Sequence, residues 1–126
     1  MNKDNNVTVK DLKKKIEKFM NDRDWGQYHN PKNLSMSIAI EASELMENFQ
    51  WVDSNQSLKI LKDKDKRVNV EEELADIAIY VIDFCNMNDI DLTEIVEKKL
   101  VKNEKKYPVN LCKGKAVKYN QLRAGK

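Results

Sequence analysis

Apolar residues recur along this chain at helical spacing in four stretches. Leu12, Ile16, Phe19 and Met20 stand among lysines and acids, which predicts an amphipathic helix from about Thr8, a residue suited to capping a helix start, to Arg23. The segment Asp24-Trp25-Gly26-Gln27-Tyr28-His29-Asn30-Pro31 follows, and its Gly and Asn-Pro signals end one helix and prepare the next. Leu34, Ile38, Ala42, Leu45 and Phe49 then form a core-facing stripe on a second helix, expected from Pro31 or Lys32 to Trp51. From Val52 to Val70 the chain is polar and charge-dense, and Leu58, Ile60 and Leu61 mark a brief helix or a packed loop within it.

After the acids Glu71, Glu72 and Glu73, the run from Leu74 to Cys85 is apolar on nearly every side. It predicts a helix from Val70 to Asn86 buried on most faces, by its own domain or by another subunit. The β-branched residues in that run would also suit a strand, but its length and lack of turn signals favour helix. Asp91 and Glu94 have the spacing of a capping box, and Leu92, Ile95, Val96 and Leu100 give the next helix an apolar face up to Pro108. The expected architecture is an all-α helical bundle, one domain over residues 1–126. Its last part, 109–126, is a basic tail, partly extended.

Composition narrows the function. With 126 residues, 40% hydrophobic and 35% charged, the chain can bury one core. Its formal net charge of +2 gives no field that would draw in a nucleic acid polymer or an anionic membrane. No apolar run approaches the roughly 20 residues of a bilayer span, and the start of the chain leads into charge, so a cytoplasmic protein is expected. Cys85 and Cys112 lie in unlike surroundings and suggest neither a disulfide nor a zinc site; Cys85 reads as a core hydrophobe.

Acids carry the candidate chemistry. Glu41 borders the stripe of the second helix, with Glu44 one turn along, and Glu73, Asp76, Tyr80 and Asp83 draw a polar line on the apolar fourth helix. Carboxylates at the edge of a core lose hydration and need a compensating cation or hydrogen bonds. Packing the two helices together would gather Glu41, Glu44, Glu73 and Asp76 into an all-oxygen site that selects Mg²⁺ or Mn²⁺ over zinc. A di-iron bundle would need histidines, and this chain has one. Glu47 is a helper outside that set, and Glu71, Glu72 and Glu94 read as surface or capping acids. A noncatalytic assembly module, with these acids paired to lysines of a neighbouring subunit, is the alternative reading.

Glu41-Ala42-Ser43-Glu44 and Glu73-Leu74-Ala75-Asp76 reproduce the Glu-x-x-Glu and Glu-x-x-Asp signature of the MazG-type all-α nucleotide pyrophosphohydrolases, which the sequence resembles. The stretch Arg23-Asp24-Trp25-Gly26-Gln27-Tyr28-His29-Asn30-Pro31-Lys32-Asn33-Leu34, then Phe49-Gln50-Trp51, Tyr80, Asn103 and Lys106-Tyr107-Pro108-Val109, is similar to the dCTP pyrophosphatase branch. The resemblance covers about Ile16 to Tyr119. It implies Mg²⁺-dependent hydrolysis of a deoxynucleoside triphosphate between its α and β phosphates, with dCTP or a related pyrimidine favoured, in nucleotide-pool control. Glu41, Glu44, Glu73 and Asp76 would hold the metal, and Trp25, His29, Trp51 and Tyr80 would line the nucleotide pocket of a homo-oligomer, a dimer or a dimer of dimers. Where that branch can carry a substrate-contacting histidine in the first helix, this chain has Ile16, which bears on base or sugar selectivity.

Physical reasoning adds roles to these positions. Glu41 or Glu44 is the candidate catalytic residue that orients or deprotonates the attacking water. Lys99, Asn103 and Lys106, at i, i+4 and i+7, form a stripe able to clamp β and γ phosphates. Trp25 and Trp51 can stack on a base, His29 can contact sugar or phosphate, and Tyr80 can pack on the deoxyribose and disfavour a 2′-hydroxyl.

Overall fold

The computed structural model describes residues 2–122 and, among them, helices and turns with no strand. Six helices follow in order: α1 (Val9–Asp22), α2 (Pro31–Glu47), α3 (Ser54–Ile60), α4 (Lys64–Met87), α5 (Leu92–Lys106) and the single turn α6 (Val109–Cys112). The chain divides into two compact units, one ending at Ile90 and one beginning at Asp91.

In the first unit α2 and α1 both pack on α4. Met20, Leu34, Val70, Ile82 and Cys85 are buried apolar residues at this junction, Leu34 most completely at 1% exposure. Cys85 is a core residue, and burial pushes its thiol pKa up. Two hydrogen bonds stitch α1 to the end of α4: Lys13 Nζ donates to the Ile90 carbonyl and Asn86 Nδ2 to the Lys13 carbonyl, both at 2.9 Å. These satisfy polar groups in partly buried positions, where an unpaired group would be costly.

Each helix start has a local cause. Thr8 and Asp11 form a reciprocal capping box on α1. Asn30 caps α2 by accepting from Asn33 N–H, with Pro31 in the first helical position where its missing N–H costs nothing. Asp53 and Gln56 form a second capping box on α3. Asp63 accepts from the N–H groups of Asp65 and Lys66. Its cap starts α4 at Lys64, six residues ahead of the expected Val70, because the charged turn Lys64-Asp65-Lys66-Arg67 is helix-compatible and Arg67 pairs with Glu71 at 2.6 Å.

Three expectations are corrected. The second helix stops at Glu47 rather than Trp51, because Asn48 turns its amide back onto the Glu44 and Leu45 carbonyls and the following N–H groups bond three residues back. Phe49 therefore lies in a turn, half-buried, and Ala42 of the expected stripe is exposed. Asp91 caps α5 by accepting from Glu94 N–H, but Glu94 pairs with Lys98 and does not complete the box.

In the second unit Leu92 is half-buried, while Ile95, Val96 and Leu100 are exposed on α5. Beyond Pro108 come α6, an extended stretch and a short 3-10 turn at Tyr119–Gln121; residues 123–126 of the expected tail lie outside the described residues. Cys112 Sγ donates to the Pro108 carbonyl at 3.0 Å. No helix among the described residues is long and apolar enough to cross a membrane.

Leu34 fills the α2–α4 junction with almost no solvent contact. Leu34→Ala is expected to lower unfolding free energy by about 2–5 kcal/mol in urea titrations.

Candidate active site

Packing of α2 on α4 brings Glu41, Glu73 and Asp76 together, with one oxygen from each lying within 4.8 Å of the others. All three are half-buried. Glu41 Oε2 and Glu73 Oε2 are sealed from solvent and have no hydrogen-bond partner, an arrangement that costs free energy unless something else compensates the charge. Glu44 is outside that trio of converging oxygens, yet its carboxyl stands close enough to act on both Glu41 and Glu73.

Crowding shows in the proton affinities. Lost hydration first, then the close approach of the Glu44 and Glu73 carboxyls and the negative charges of Glu44 and Asp76, raise the Glu41 pKa to about 7. The Glu73 carboxyl is raised for similar reasons, lost hydration and Glu44 leading. The donor set is all oxygen and hard, and its two orphaned oxygens call for a compensating positive charge; the site fits a divalent cation such as Mg²⁺ or Mn²⁺.

A row of rings adjoins the acids. Phe19 meets Trp25 edge-on at 5.7 Å between centroids, Trp25 meets His29 at 6.1 Å, and His29 meets Tyr80 at 6.4 Å. The Arg23 guanidinium sits 3.7 Å over the Phe19 ring and donates to the Phe19 carbonyl, tying the start of the loop to α1. At the other end Asn33 Nδ2 donates to the Tyr28 carbonyl, tying it to α2. Asp24 closes α1 in the left-handed region at φ 52°, where Asp is tolerated better than most residues. Tyr80 links the row to the acids: burial, then the charges of Glu41, Asp76 and Asp83, raise its phenol pKa.

Tyr80 thus stands beside the carboxylates, with His29 and then Trp25 following it ring by ring. Trp51 is 88% exposed in the turn after α2, with no aromatic partner among the described residues. Glu47 is exposed near the end of α2. Lys99, Asn103 and Lys106 belong to the second unit on successive turns of α5; Asn103 is half-buried, and Lys106 Nζ lies 5.1 Å from the Tyr119 ring.

The sequence reading placed Asp83 on the polar line of α4 without giving it a partner. The structure buries it to 1% exposure and sets its Oδ2 2.6 Å from His29 Nδ1. Burial raises the Asp83 pKa and the histidine works against that rise. The only signal in the sequence was one acid too many on a helix face otherwise committed to the core.

Half-buried carboxylates converging from two helices, beside a row of aromatic rings, define a class of protein as well as a site. The chain belongs to the MazG-like family, whose model matches residues 36–122 and so takes in all four acids. Among individual relatives, dCTP pyrophosphatase 1 of Mus musculus is 34% identical over 118 residues, 94% of this chain and 69% of that protein. The Bos taurus protein of the same name is 35% identical over 94% of this chain and 70% of its own length. In three dimensions the chain is similar to a pyrophosphatase from Archaeoglobus fulgidus, with a TM-score of 0.74 and 41% identity over 79% of this chain and 91% of that one. The all-α pyrophosphatase fold is the fold of this chain.

Between pH 4.5 and about 7 the folded, metal-free protein keeps a proton on Glu41 that the unfolded chain has released. Stability from this group is therefore greatest below that window and is lost as pH rises through it. Melting temperatures in chelator are expected to fall from pH 5 to pH 8, and Glu41→Gln to flatten that decline.

Proposed function

We propose that this chain, a nucleoside triphosphate pyrophosphohydrolase, hydrolyses a deoxynucleoside triphosphate, with dCTP or a related pyrimidine preferred, to the monophosphate and pyrophosphate in a Mg²⁺-dependent reaction. The observation that carries this reading is the convergence of Glu41, Glu73 and Asp76, with two orphaned carboxylate oxygens, beside aromatic rings able to take a base. Membership of the MazG-like family and relatives named dCTP pyrophosphatase support it. Control or cleaning of a cytoplasmic nucleotide pool is the role that goes with this chemistry.

Each group has a task under this reading. Glu41, Glu44, Glu73 and Asp76 hold the metal, which when bound neutralises phosphate charge and stabilises the leaving pyrophosphate. Glu44 or Glu41 orients the water that attacks the α phosphorus and takes its proton. Trp25 and Trp51 stack on the base, whose π-face any aromatic ring can meet. Tyr80 packs against the deoxyribose, where a 2′-hydroxyl would crowd its ring, and His29 beside it contacts the sugar. Lys99, Asn103 and Lys106 are proposed as phosphate contacts on charge and spacing.

We further propose that the protein assembles with copies of itself, as a dimer or a tetramer. Met36 and Ile40 on α2 and Leu74 on α4 are each more than half exposed, apolar side chains that a second copy would take out of water. Residues 1–126 act in that assembly as one helical domain. Light scattering is expected to give a mass above that of one chain.

Pyrophosphate release from dNTPs with Mg²⁺ is the direct assay. Glu44→Gln, which keeps shape and removes charge, is expected to reduce kcat by about 10²-fold or more. A variant as active as the parent would favour an assembly module whose acids only pair with lysines. Tyr80→Ala is expected to narrow the preference for dNTPs over NTPs; an unchanged ratio removes its role in sugar discrimination.

A further inference from the structure

The His29 ring is held by a carboxylate that the acid cluster does not use. Asp83 lies two turns beyond Asp76 on α4, 1% exposed, with Oδ2 2.6 Å from His29 Nδ1. His29 is the one hydrogen-bond partner that the Asp83 side chain has among the described residues. An ionised carboxylate only accepts, so the proton of this bond belongs to Nδ1. In the neutral ring Nε2 is then left as a lone pair with no partner among the described residues, on a side chain that is 15% exposed. The ring is steadied between Trp25 and Tyr80, and Tyr80 stands one turn from Asp76.

We infer that Asp83 is a positioning residue, which fixes His29 with Nδ1 protonated so that Nε2 accepts a hydrogen bond from the 3′-hydroxyl of the bound deoxynucleotide. This rests on the nucleotide reading above and adds the group that the histidine reads. An acceptor needs a donor opposite it: ionised phosphate oxygens have no proton to give, whereas a deoxyribose inside a triphosphate offers one hydroxyl, at C3′. The acids are committed to one end of the nucleotide, and Tyr80 lies between them and His29, which puts the imidazole at the height of the sugar. Fixing one tautomer in advance spares the bound state the cost of selecting it.

The single histidine makes the tautomer directly readable. In ¹⁵N spectra of the unaltered protein, followed up in pH until only the neutral ring is seen, Nδ1 is expected to carry the proton and Nε2 to be bare; a neutral ring protonated on Nε2 overturns the inference. In the assay, a 2′,3′-dideoxynucleoside triphosphate is expected to show a KM about 5- to 10-fold above that of the matching dNTP, with kcat little changed. Asp83→Asn is expected to mix the tautomers and shrink that ratio to below about twofold; a folded variant that keeps the full ratio overturns the inference. If Asp83→Asn does not fold, His29→Gln serves for the same ratio, which must again collapse. Failure of the unaltered protein to hydrolyse any dNTP would sink the nucleotide reading. Brisk hydrolysis with equal KM values for the two sugars would sink this inference alone.

Discussion

Mutual repulsion among carboxylates is the constraint around which this molecule is arranged. Glu41, Glu73 and Asp76 would separate if their helices were free, since lost hydration and like charge both oppose the gathering. They are held because α2 is packed on α4 through Leu34 and its neighbours. Apolar burial at the junction thus sustains a polar arrangement that is unfavourable by itself, and the raised Glu41 pKa records the cost. A site of this kind, with its acceptors already in place, has little reorganisation left to do when a cation enters.

The division of labour follows from chain geometry. Two helices supply charge, and the loop between α1 and α2 brings Trp25 and His29 up to Tyr80 of α4. That loop is tied at its start by Arg23 on Phe19 and at its end by Asn33 on Tyr28. Asp83 serves both parts: it belongs to the same helix as two of the acids, and its bond to His29 carries the order of α4 into the loop. Full burial of a carboxylate is tolerated there because a ring nitrogen meets it.

Much of this was legible in the residues themselves. Helical periodicity located the long helices, and the caps Thr8, Asn30 and Asp91 act as their types suggest. Acids bordering apolar stripes pointed to the helices whose packing gathers three of them. Helix ends were harder, because Asn48 stops α2 through side-chain bonds that no periodicity reports and Asp63 starts α4 inside a charged stretch. The His29–Asp83 pair was out of reach, since 54 positions separate the partners and pairing at that distance is a product of packing.

The stitch between Lys13, Asn86 and Ile90 has a bearing on how such a protein can diverge. Both acceptors are main-chain carbonyls and both donors are side chains of the helices, Lys13 on α1 and Asn86 on α4, so neither bond draws on a residue of the loop between α1 and α2. Drift in the side chains of the neighbouring loop therefore leaves the frame where it is. Substitution at the ring-bearing positions of the loop is thereby uncoupled from the helices that gather the acids.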